Sequence, residues 1–194
     1  MIWDRYGVRY LKNGALVAKV NETAPLVIEA ELRGERLPPA GPNPEIAGRV
    51  GLELNPVDLG NPDDRDWLRA LIWPDQGERL KRMDRAIALF LRERPKIVAG
   101  DALALLPDAL ACVPERQVPC VYHTIVLYQF SHEMRQALDD MMIVASLRRP
   151  LWRLSFEYDG DIYLLSAICY QDGERTVRRL ASSHPHGTWL EWLA

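Results

Sequence analysis

Cysteine is scarce in this sequence of 194 residues, and its scarcity excludes two kinds of small protein. The three cysteines have no Cys-x-x-Cys spacing, so they predict neither a disulfide framework nor a zinc knuckle. His184 and His186 stand two apart in "SHPHG", but no third ligand accompanies them. A tight turn explains this histidine pair better than a metal site, and we predict no metal.

Long apolar runs and an excess of one charge are also missing. No stretch approaches the roughly 18 apolar residues of a membrane span, and the start "MIWDRYGVRY" lacks the apolar core of a signal peptide. The formal net charge of -3 arises from interspersed acids and bases, without the basic stripe of a nucleic-acid-binding protein. We expect a bacterial-type cytoplasmic protein that binds neither membranes nor nucleic acids.

Several sequence motifs of nucleotide-binding proteins and hydrolases are absent as well. The chain has no G-x-G-x-x-G turn, no Walker loop and no G-x-S-x-G elbow. Its serines have no histidine at a recognisable spacing along the sequence. A hydrolase is therefore the least favoured of the functions that we consider.

The sequence begins with a β-rich segment. Asn13-Gly14 is the strongest two-residue signal for a hairpin, and "PLVIEAELR" then alternates apolar and charged residues as a half-buried strand does. The stretch "LPPAGPNP", Leu37 to Pro44, continues neither a strand nor a helix. It predicts a boundary between an N-terminal antiparallel β hairpin or meander, residues 1–36, and a second domain, residues 45–194.

That second domain alternates between strands and helices. The strand "RVGLEL" precedes a helix that starts at Asn61-Pro62, where an amide caps the helix and proline takes its first position. A second helix, a strand in "PKIVAGDA", a short helix opened by Pro107 and a strand in "VPCVYHTIV" follow. Ser131 caps the next helix, which has Arg148 and Arg149 at its negative end.

The last strands are predicted to be antiparallel. Asp159-Gly160 and Asp172-Gly173 form hairpin turns between the segments "LWRLSFEY", "IYLLSAICY" and "RTVRRLAS". Together with the alternation of strands and helices, they predict an α/β fold. Its sheet is expected to be mostly parallel, with helices on both faces and a terminal antiparallel hairpin.

Polar residues follow three of the predicted parallel strands. They are, in chain order, Glu53, Asn55 and Asp58, then Gly100 and Asp101, then His123 and Thr124. In sheets of this kind ligands bind outside the carboxyl ends of the strands. We therefore expect Glu53, Asp101 and His123 to line one cleft at the carboxyl edge of the sheet.

Five segments of the chain are distinctive in sequence. They are "IWDRYGVRY", "VGLELNPVDL", "WLRALIWPDQ", "VAGDAL" and "HPHGTWLEWL". Together they resemble a bacterial family of unknown function whose members are similar to S-adenosylmethionine-dependent methyltransferases. The resemblance spans essentially the whole chain. It implies a Rossmann-like, methyltransferase-type fold and S-adenosylmethionine as the cofactor.

The resemblance also implies roles for individual residues. Glu53 stands where the second methyltransferase strand ends in an acid that binds the ribose hydroxyls, and Asn55 lies beside it. His123 lies at the mouth of the strand that opens toward the methyl-transfer site. The turn beside adenine corresponds here to Gly100, Asp101 and Ala102.

One part of the methyltransferase pattern has no counterpart in this chain. Methyltransferases hold the methionine end of the cofactor on a glycine-rich turn after their first strand, and longer members of the family carry such a strand before the "WDRY" segment. We expect this chain to lack it. The neighbouring strands "RVGLEL" and "PCVYHTIV" are then expected to pair with each other, with a strand of the N-terminal hairpin, or with a second chain in a homodimer.

Each candidate residue also has an ordinary structural explanation. Asn55 and Asp58 are alternatively explained as caps of a turn, and Asp101 as the cap of a helix. The alternative for Glu53 is a solvated acid at the end of a strand, and the alternative for His123 is a half-buried histidine whose hydrogen bonds are satisfied.

The catalytic candidates are Asp58, Asp75 and His123. Methyl transfer needs a carboxylate or a histidine where the acceptor loses a proton. Asp75 lies in "WPDQ" between two helices, where it is either a substrate contact or the cap of the helix that follows. The alternative function is a non-catalytic interaction module, or a degenerate paralogue of the same fold.

Overall fold

The computed structural model describes residues 2–39 and 44–194. These residues form ten strands, four α-helices and two short 3₁₀ helices. The strands are β1 (Gly7–Lys12), β2 (Ala15–Val20), β3 (Val27–Arg33), β4 (Val50–Glu53), β5 (Lys96–Ala99), β6 (Cys120–Thr124), β7 (Leu151–Asp159), β8 (Ile162–Gln171), β9 (Glu174–Ser183) and β10 (Trp189–Trp192). The helices are α1 (Pro62–Ala70), α2 (Gly77–Glu93), α3 (Ala102–Ala111) and α4 (His132–Ser146).

The strands form two sheets, and the larger one is mixed. Its eight strands follow the order β2-β1-β3-β10-β9-β8-β7-β6, while β4 and β5 form a two-stranded sheet. Pairs β4–β5, β6–β7 and β3–β10 are parallel, whereas β7–β8, β8–β9 and β9–β10 are antiparallel. The fold is therefore mixed α/β, and the prediction of a mostly parallel sheet is wrong. The hairpin strands β8 and β9 have ten residues each, so the antiparallel ladders outweigh parallel ladders built on strands of four or five residues.

The hairpin turns predicted from the sequence are confirmed. Asn13 and Gly14 both have positive φ, 52° and 76°, as the tight turn between β1 and β2 requires. The later hairpins turn at Gly160, with φ 72°, and at Asp172-Gly173, with φ 53° and 81°. The sequence therefore predicts these antiparallel connections from turn residues alone.

Two of the predicted helix starts are also confirmed. The side chain of Asn61 accepts a hydrogen bond from the Asp63 N–H at 3.1 Å, and Pro62 occupies the first position of α1. The hydroxyl of Ser131 accepts from the Met134 N–H at 3.3 Å at the start of α4. Pro107 does not open α3 as predicted but lies inside it. The apolar run "ALALLPDALA" stays helical although proline removes one backbone donor.

The chain divides into two compact units. Unit 1 comprises Met1–Arg9, Ala18–Ile28 and Asn43–Ala102, and unit 2 comprises Tyr10–Val17, Glu29–Pro42 and Leu103–Ala194. The buried side chains of unit 1 include Ile2, Leu26, Ile72, Ile87 and Leu89. Those of unit 2 include Leu138, Met142, Leu151, Ile168 and Tyr170. No helix of the described residues is long and apolar enough to cross a membrane.

Strands β4 and β6 do not pair with each other in the described part of the chain. Strand β4 pairs with β5, and β6 is the last strand of the eight-stranded sheet, where it pairs with β7. The N-terminal strands β1, β2 and β3 lie at the opposite end of that sheet. Direct closure of β4 on β6 and a strand supplied by the N-terminal hairpin are therefore both wrong as predictions. Residues 40–43 of the predicted domain boundary lie outside the described residues, and the division into residues 1–36 and 45–194 stays a prediction.

Candidate functional site

The carboxyl ends of β4 and β5 meet at one edge of unit 1. Glu53 is in register with Ala99, and the N–H of Gly100 donates to the carbonyl oxygen of Glu53 at 3.0 Å. The side chains of Glu53, Asn55 and Asp101 are exposed there. We call this set, Glu53, Asn55, Gly100 and Asp101, the carboxyl edge of unit 1. It offers carboxylate and amide groups to a ligand in solvent.

Gly100 gives this edge its shape. Its φ of 143° is a backbone conformation that residues with a side chain rarely adopt. The chain can therefore turn sharply between the end of β5 and the start of α3 at Ala102. The backbone of this turn carries no side chain at the point where it meets the Glu53 end of β4.

Asp58 builds the turn that follows β4. Its Oδ1 accepts from the Gly60 N–H at 2.8 Å, and its carbonyl oxygen accepts from the Asn61 N–H at 2.9 Å. Its own N–H donates to Oδ2 of Asp64 at 2.9 Å. These bonds support the interpretation of Asp58 as a turn cap. A catalytic role for Asp58 stays a prediction.

Asp75 has different surroundings. It lies in the exposed turn between α1 and α2, and the described residues give its carboxylate no hydrogen bond or ion pair. The N-cap position of α2 is Gln76, which makes no capping bond with its side chain. Trp73, 72% exposed, stands two residues before Asp75. The structure therefore leaves both groups open to a ligand or a partner.

His123 lies on β6, in the large sheet and in unit 2. Its Nδ1 is 2.8 Å from Oε1 of Glu157, a residue of β7. Glu157 also accepts from the backbone N–H groups of Val126, at 3.0 and 3.1 Å, and Leu127, at 3.2 Å. One carboxylate therefore fixes both the imidazole ring and the turn that follows β6.

The charge of Glu157 determines which ring nitrogen of His123 holds the proton. Burial raises the pKa of the Glu157 carboxyl, but the hydrogen bonds from His123 and from the backbone outweigh it and hold that pKa below its usual value. An ionised carboxylate only accepts hydrogen bonds, so Nδ1 of His123 is the donor. In the neutral imidazole Nε2 then carries the lone pair, and this atom is buried without a hydrogen-bond partner among the described residues.

The turn held by Glu157 is strained. Ile125 has a φ of 50°, which is an outlier for a β-branched residue, and its N–H donates to the Phe156 carbonyl at 2.8 Å. Strained backbone persists where surrounding contacts determine it, and such positions occur often at functional sites. The sequence predicts His123 as a candidate residue but does not predict Glu157. The available signal was an acid placed inside a predicted strand, "LWRLSFEY".

A second polar cluster attaches α4 to the large sheet. Asp139 on α4 accepts from the Tyr170 hydroxyl at 2.6 Å and from Arg153 at 2.9 Å, and it also pairs with Arg175. Burial, followed by the neighbouring Asp139 carboxylate, raises the pKa of Tyr170 far above its usual value. These contacts join one helix to three strands, β7, β8 and β9. They explain why a buried arginine is tolerated in β7.

The histidine pair near the C-terminus forms a turn. Nδ1 of His184 accepts from the N–H of His186 at 3.1 Å, as expected for the tight turn that explains "SHPHG". Within residues 2–39 and 44–194, no group of three or more His, Cys, Asp or Glu side chains could hold a metal ion.

The structure brings together some of the predicted residues. Glu53, Gly100 and Asp101 share one edge, with Asn55 in the loop that leaves it. His123 belongs to a different sheet and acquires a partner, Glu157, that the sequence did not predict.

Comparison with known protein families gives a match over almost the whole chain. Residues 1–192 match the family described as "Uncharacterized protein conserved in bacteria (DUF2332)". No curated protein and no solved structure matches the chain.

Proposed function

The chain belongs to the bacterial family DUF2332, and we propose that the carboxyl edge of unit 1 binds the adenosyl part of S-adenosylmethionine in a Rossmann-like, methyltransferase-type arrangement. One observation carries this proposal. The Gly100 N–H donates to the Glu53 carbonyl oxygen at 3.0 Å, which holds the two parallel strand ends and their exposed polar groups at one edge. Carboxyl ends of parallel strands are the usual place for a nucleotide in α/β proteins.

The residue types at this edge fit the chemistry of an adenosyl group. The Glu53 carboxylate offers two oxygens to the two ribose hydroxyls, and the Asn55 amide adds a donor and an acceptor beside it. Asp101 offers an acceptor to the exocyclic amine of adenine. The backbone at Gly100 and Ala102 would lie against the adenine ring, since Gly100 presents no side chain.

For methyl transfer, Asp75 of unit 1 is the candidate for accepting a proton, since the described residues give its carboxylate no hydrogen bond or ion pair. Methyl transfer depends chiefly on alignment of the reacting atoms, so a single such base is sufficient where the acceptor must lose a proton. His123 and its partner Glu157 belong to unit 2.

A non-catalytic adenosyl-binding module is the second candidate function. The observation that favours it is the engagement of Asp58, whose carboxylate accepts the Gly60 N–H and caps the turn after β4. A carboxylate committed to a backbone turn is less available as a base. The two candidates share the binding site and differ in whether methyl transfer follows.

Calorimetric titration with S-adenosylmethionine and S-adenosylhomocysteine tests the binding site. We expect the Glu53→Ala variant to bind either ligand about 1.5–3 kcal/mol more weakly than the wild type, the range for hydrogen bonds to a charged group. Glu45→Ala, which removes another exposed carboxylate of unit 1, is the matched control and should bind as the wild type does. Equal affinity of Glu53→Ala and wild type would contradict the proposal.

A further inference from the structure

A row of polar side chains crosses four neighbouring strands of unit 2. His123 of β6 is in register with Ser155 of β7, Ser155 with Ser166 of β8, and Ser166 with Arg179 of β9. Residues in register on neighbouring strands point to the same face of a sheet. We call these four residues, His123, Ser155, Ser166 and Arg179, the polar row.

The polar row borders an open depression in the sheet face. Ser155, Ser166 and Arg179 line it together with Glu157, and its volume is about 260 Å³. Ser155 is only 9% exposed, yet it reaches this depression. A small molecule in the depression would therefore contact the Ser155 hydroxyl, while His123 lies beside that serine on the neighbouring strand.

Two polar atoms of this row have no partner in the described residues. One is Nε2 of His123, a buried acceptor, and the other is the hydroxyl of Ser155, for which the described part of the chain provides no hydrogen bond. Neighbouring strands lie about 4.8 Å apart, so a rotation about the Ser155 Cα–Cβ bond brings its hydroxyl toward the imidazole. Catalytic hydrogen bonds are often long in ligand-free proteins and tighten when the substrate binds.

The bonds of Glu157 do not account for these two atoms. Glu157 holds the strained turn at Ile125 through the bonds that it accepts from Val126 and Leu127, and it also fixes the orientation of His123. This structural role of Glu157 does not need a serine, Ser155, in register with His123. It also does not need Nε2 of His123 to be buried without a hydrogen-bond donor.

We propose that Ser155, His123 and Glu157 form a nucleophile, base and orienting acid, and that unit 2 thereby hydrolyses small carboxylic esters. This is the triad arrangement in which a third group orients the base. The proposal rests on unit 2 alone and does not depend on adenosyl binding by unit 1. The sequence alone disfavours a hydrolase, because it has no G-x-S-x-G elbow and no serine with a histidine at a recognisable spacing, whereas strand pairing places Ser155 in register with His123.

The proposed reaction has two steps. In the first, Ser155 Oγ attacks the ester carbonyl carbon, Nε2 of His123 takes the hydroxyl proton, and the alcohol leaves with that proton, which forms an acyl-serine. In the second, water attacks the acyl carbon, loses its proton to Nε2, and the acid leaves as the proton returns to Ser155. The Ser166 hydroxyl and the guanidinium of Arg179 are the donors available to the carbonyl oxygen.

The size and charge of the depression restrict the substrate. A volume of about 260 Å³ suits a short acyl chain with a small alcohol. Arg179 now pairs with Asp159 at 3.1 Å, and both side chains are more than half exposed, so this pair can separate when a substrate enters. The acids Glu157 and Asp159 disfavour anionic esters, and we expect neutral ones.

The test uses a fluorophosphonate probe and p-nitrophenyl acetate on the full chain. With the probe, the Ser155 Oγ–P bond forms, fluoride leaves, and the proton passes to His123. We expect one adduct, mapped to Ser155 by peptide mass, and hydrolysis of p-nitrophenyl acetate that Ser155→Ala abolishes. His123→Ala should slow both reactions by about 10²–10⁴-fold, the contribution of a general base.

Controls separate catalysis from folding. Ser182→Ala removes a buried hydroxyl outside the polar row and should react as the wild type does. Ser155→Ala is nearly isosteric, so an unchanged circular dichroism spectrum and melting temperature would show that it folds. No adduct on the wild type, an adduct on another residue, or undiminished hydrolysis by folded Ser155→Ala would each overturn the proposal.

Discussion

A single carboxylate, Glu157, holds three N–H groups that lie 30 to 34 residues away from it in the sequence. Local patterns could not reveal this contact, because the spacing of residues along one strand says nothing about the strand that will lie beside it. Glu53 and Gly100 were predictable for the opposite reason. Glu53 lies at the end of a predicted strand and Gly100 follows another, and the carboxyl ends of parallel strands meet at one edge of a sheet.

At the residue scale, we predict that Glu157→Gln lowers the free energy of unfolding at pH 7 by about 1.5–3 kcal/mol, because bonds to a charged acceptor are replaced by bonds to a neutral one. The pKa of Glu157 is lowered in the folded protein. Its stabilising contribution is therefore present above the ordinary carboxyl range and is lost as the pH falls through the folded pKa.

Urea denaturation at pH 7 and at pH 3 measures both effects. The wild type should lose more stability than Glu157→Gln over this interval, since the variant has no carboxyl to titrate at this position. Glu174→Gln, at an exposed acid in unit 2, is the control and should follow the wild type. An equal loss in Glu157→Gln and wild type would show that Glu157 does not anchor the turn.

At the element scale, helix α3 depends on a residue that follows a different helix. Arg149, beyond the end of α4, donates to four carbonyl groups in and after the last turn of α3. They are those of Leu110 at 3.3 Å, Val113 at 2.7 Å, Pro114 at 2.7 Å and Gln117 at 3.3 Å. From the sequence, Arg148 and Arg149 are predicted to lie at the negative end of α4. The described side-chain bonds of Arg149 go instead to α3, a contact between elements that helix patterns do not encode.

We therefore predict that Arg149→Ala lowers the free energy of unfolding by about 1.5–3 kcal/mol, because it leaves several carbonyl groups without their charged donor. Arg148→Ala is the matched control. The described residues give the Arg148 side chain no hydrogen bond or ion pair, so its removal should change stability by less than about 0.5 kcal/mol. Equal losses from the two variants, measured by urea denaturation, would contradict this account of α3.

At the scale of the whole molecule, the sequence predicted most strands and turns but not their order in the sheets. The hairpins β7–β8–β9 follow from local turn residues, whereas the position of β10 between β9 and β3 does not. That position depends on pairing Trp189 with Glu31, which are far apart along the chain. Long-range pairings of this kind are fixed by packing of the whole chain, and strand periodicity gives no information about them.

The strand edges of the two sheets lead to a prediction about association. Strand β6 is the last strand of the eight-stranded sheet. The Ile125 N–H donates to a carbonyl group of β7, and because N–H groups alternate in direction along a strand, the Tyr122 N–H points away from β7. Unpaired strand edges promote pairing with another chain, and we propose a homodimer through β6. Light scattering should show a dimer for the wild type and for Tyr122→Ala, and a weaker dimer for Tyr122→Pro, which removes the outward N–H. A monomer at all concentrations would exclude this dimer.

Adenosyl binding at the carboxyl edge of unit 1 is the central claim, and amide chemical shifts test it most directly. Titration of the ¹⁵N-labelled chain with S-adenosylhomocysteine should shift the amide signals of Glu53, Asn55, Gly100, Asp101 and Ala102 most strongly, since these residues would surround the ribose and adenine. The same titration of Glu53→Ala should require more ligand for the same shifts. No shifts at millimolar ligand, or shifts confined to unit 2, would contradict the claim.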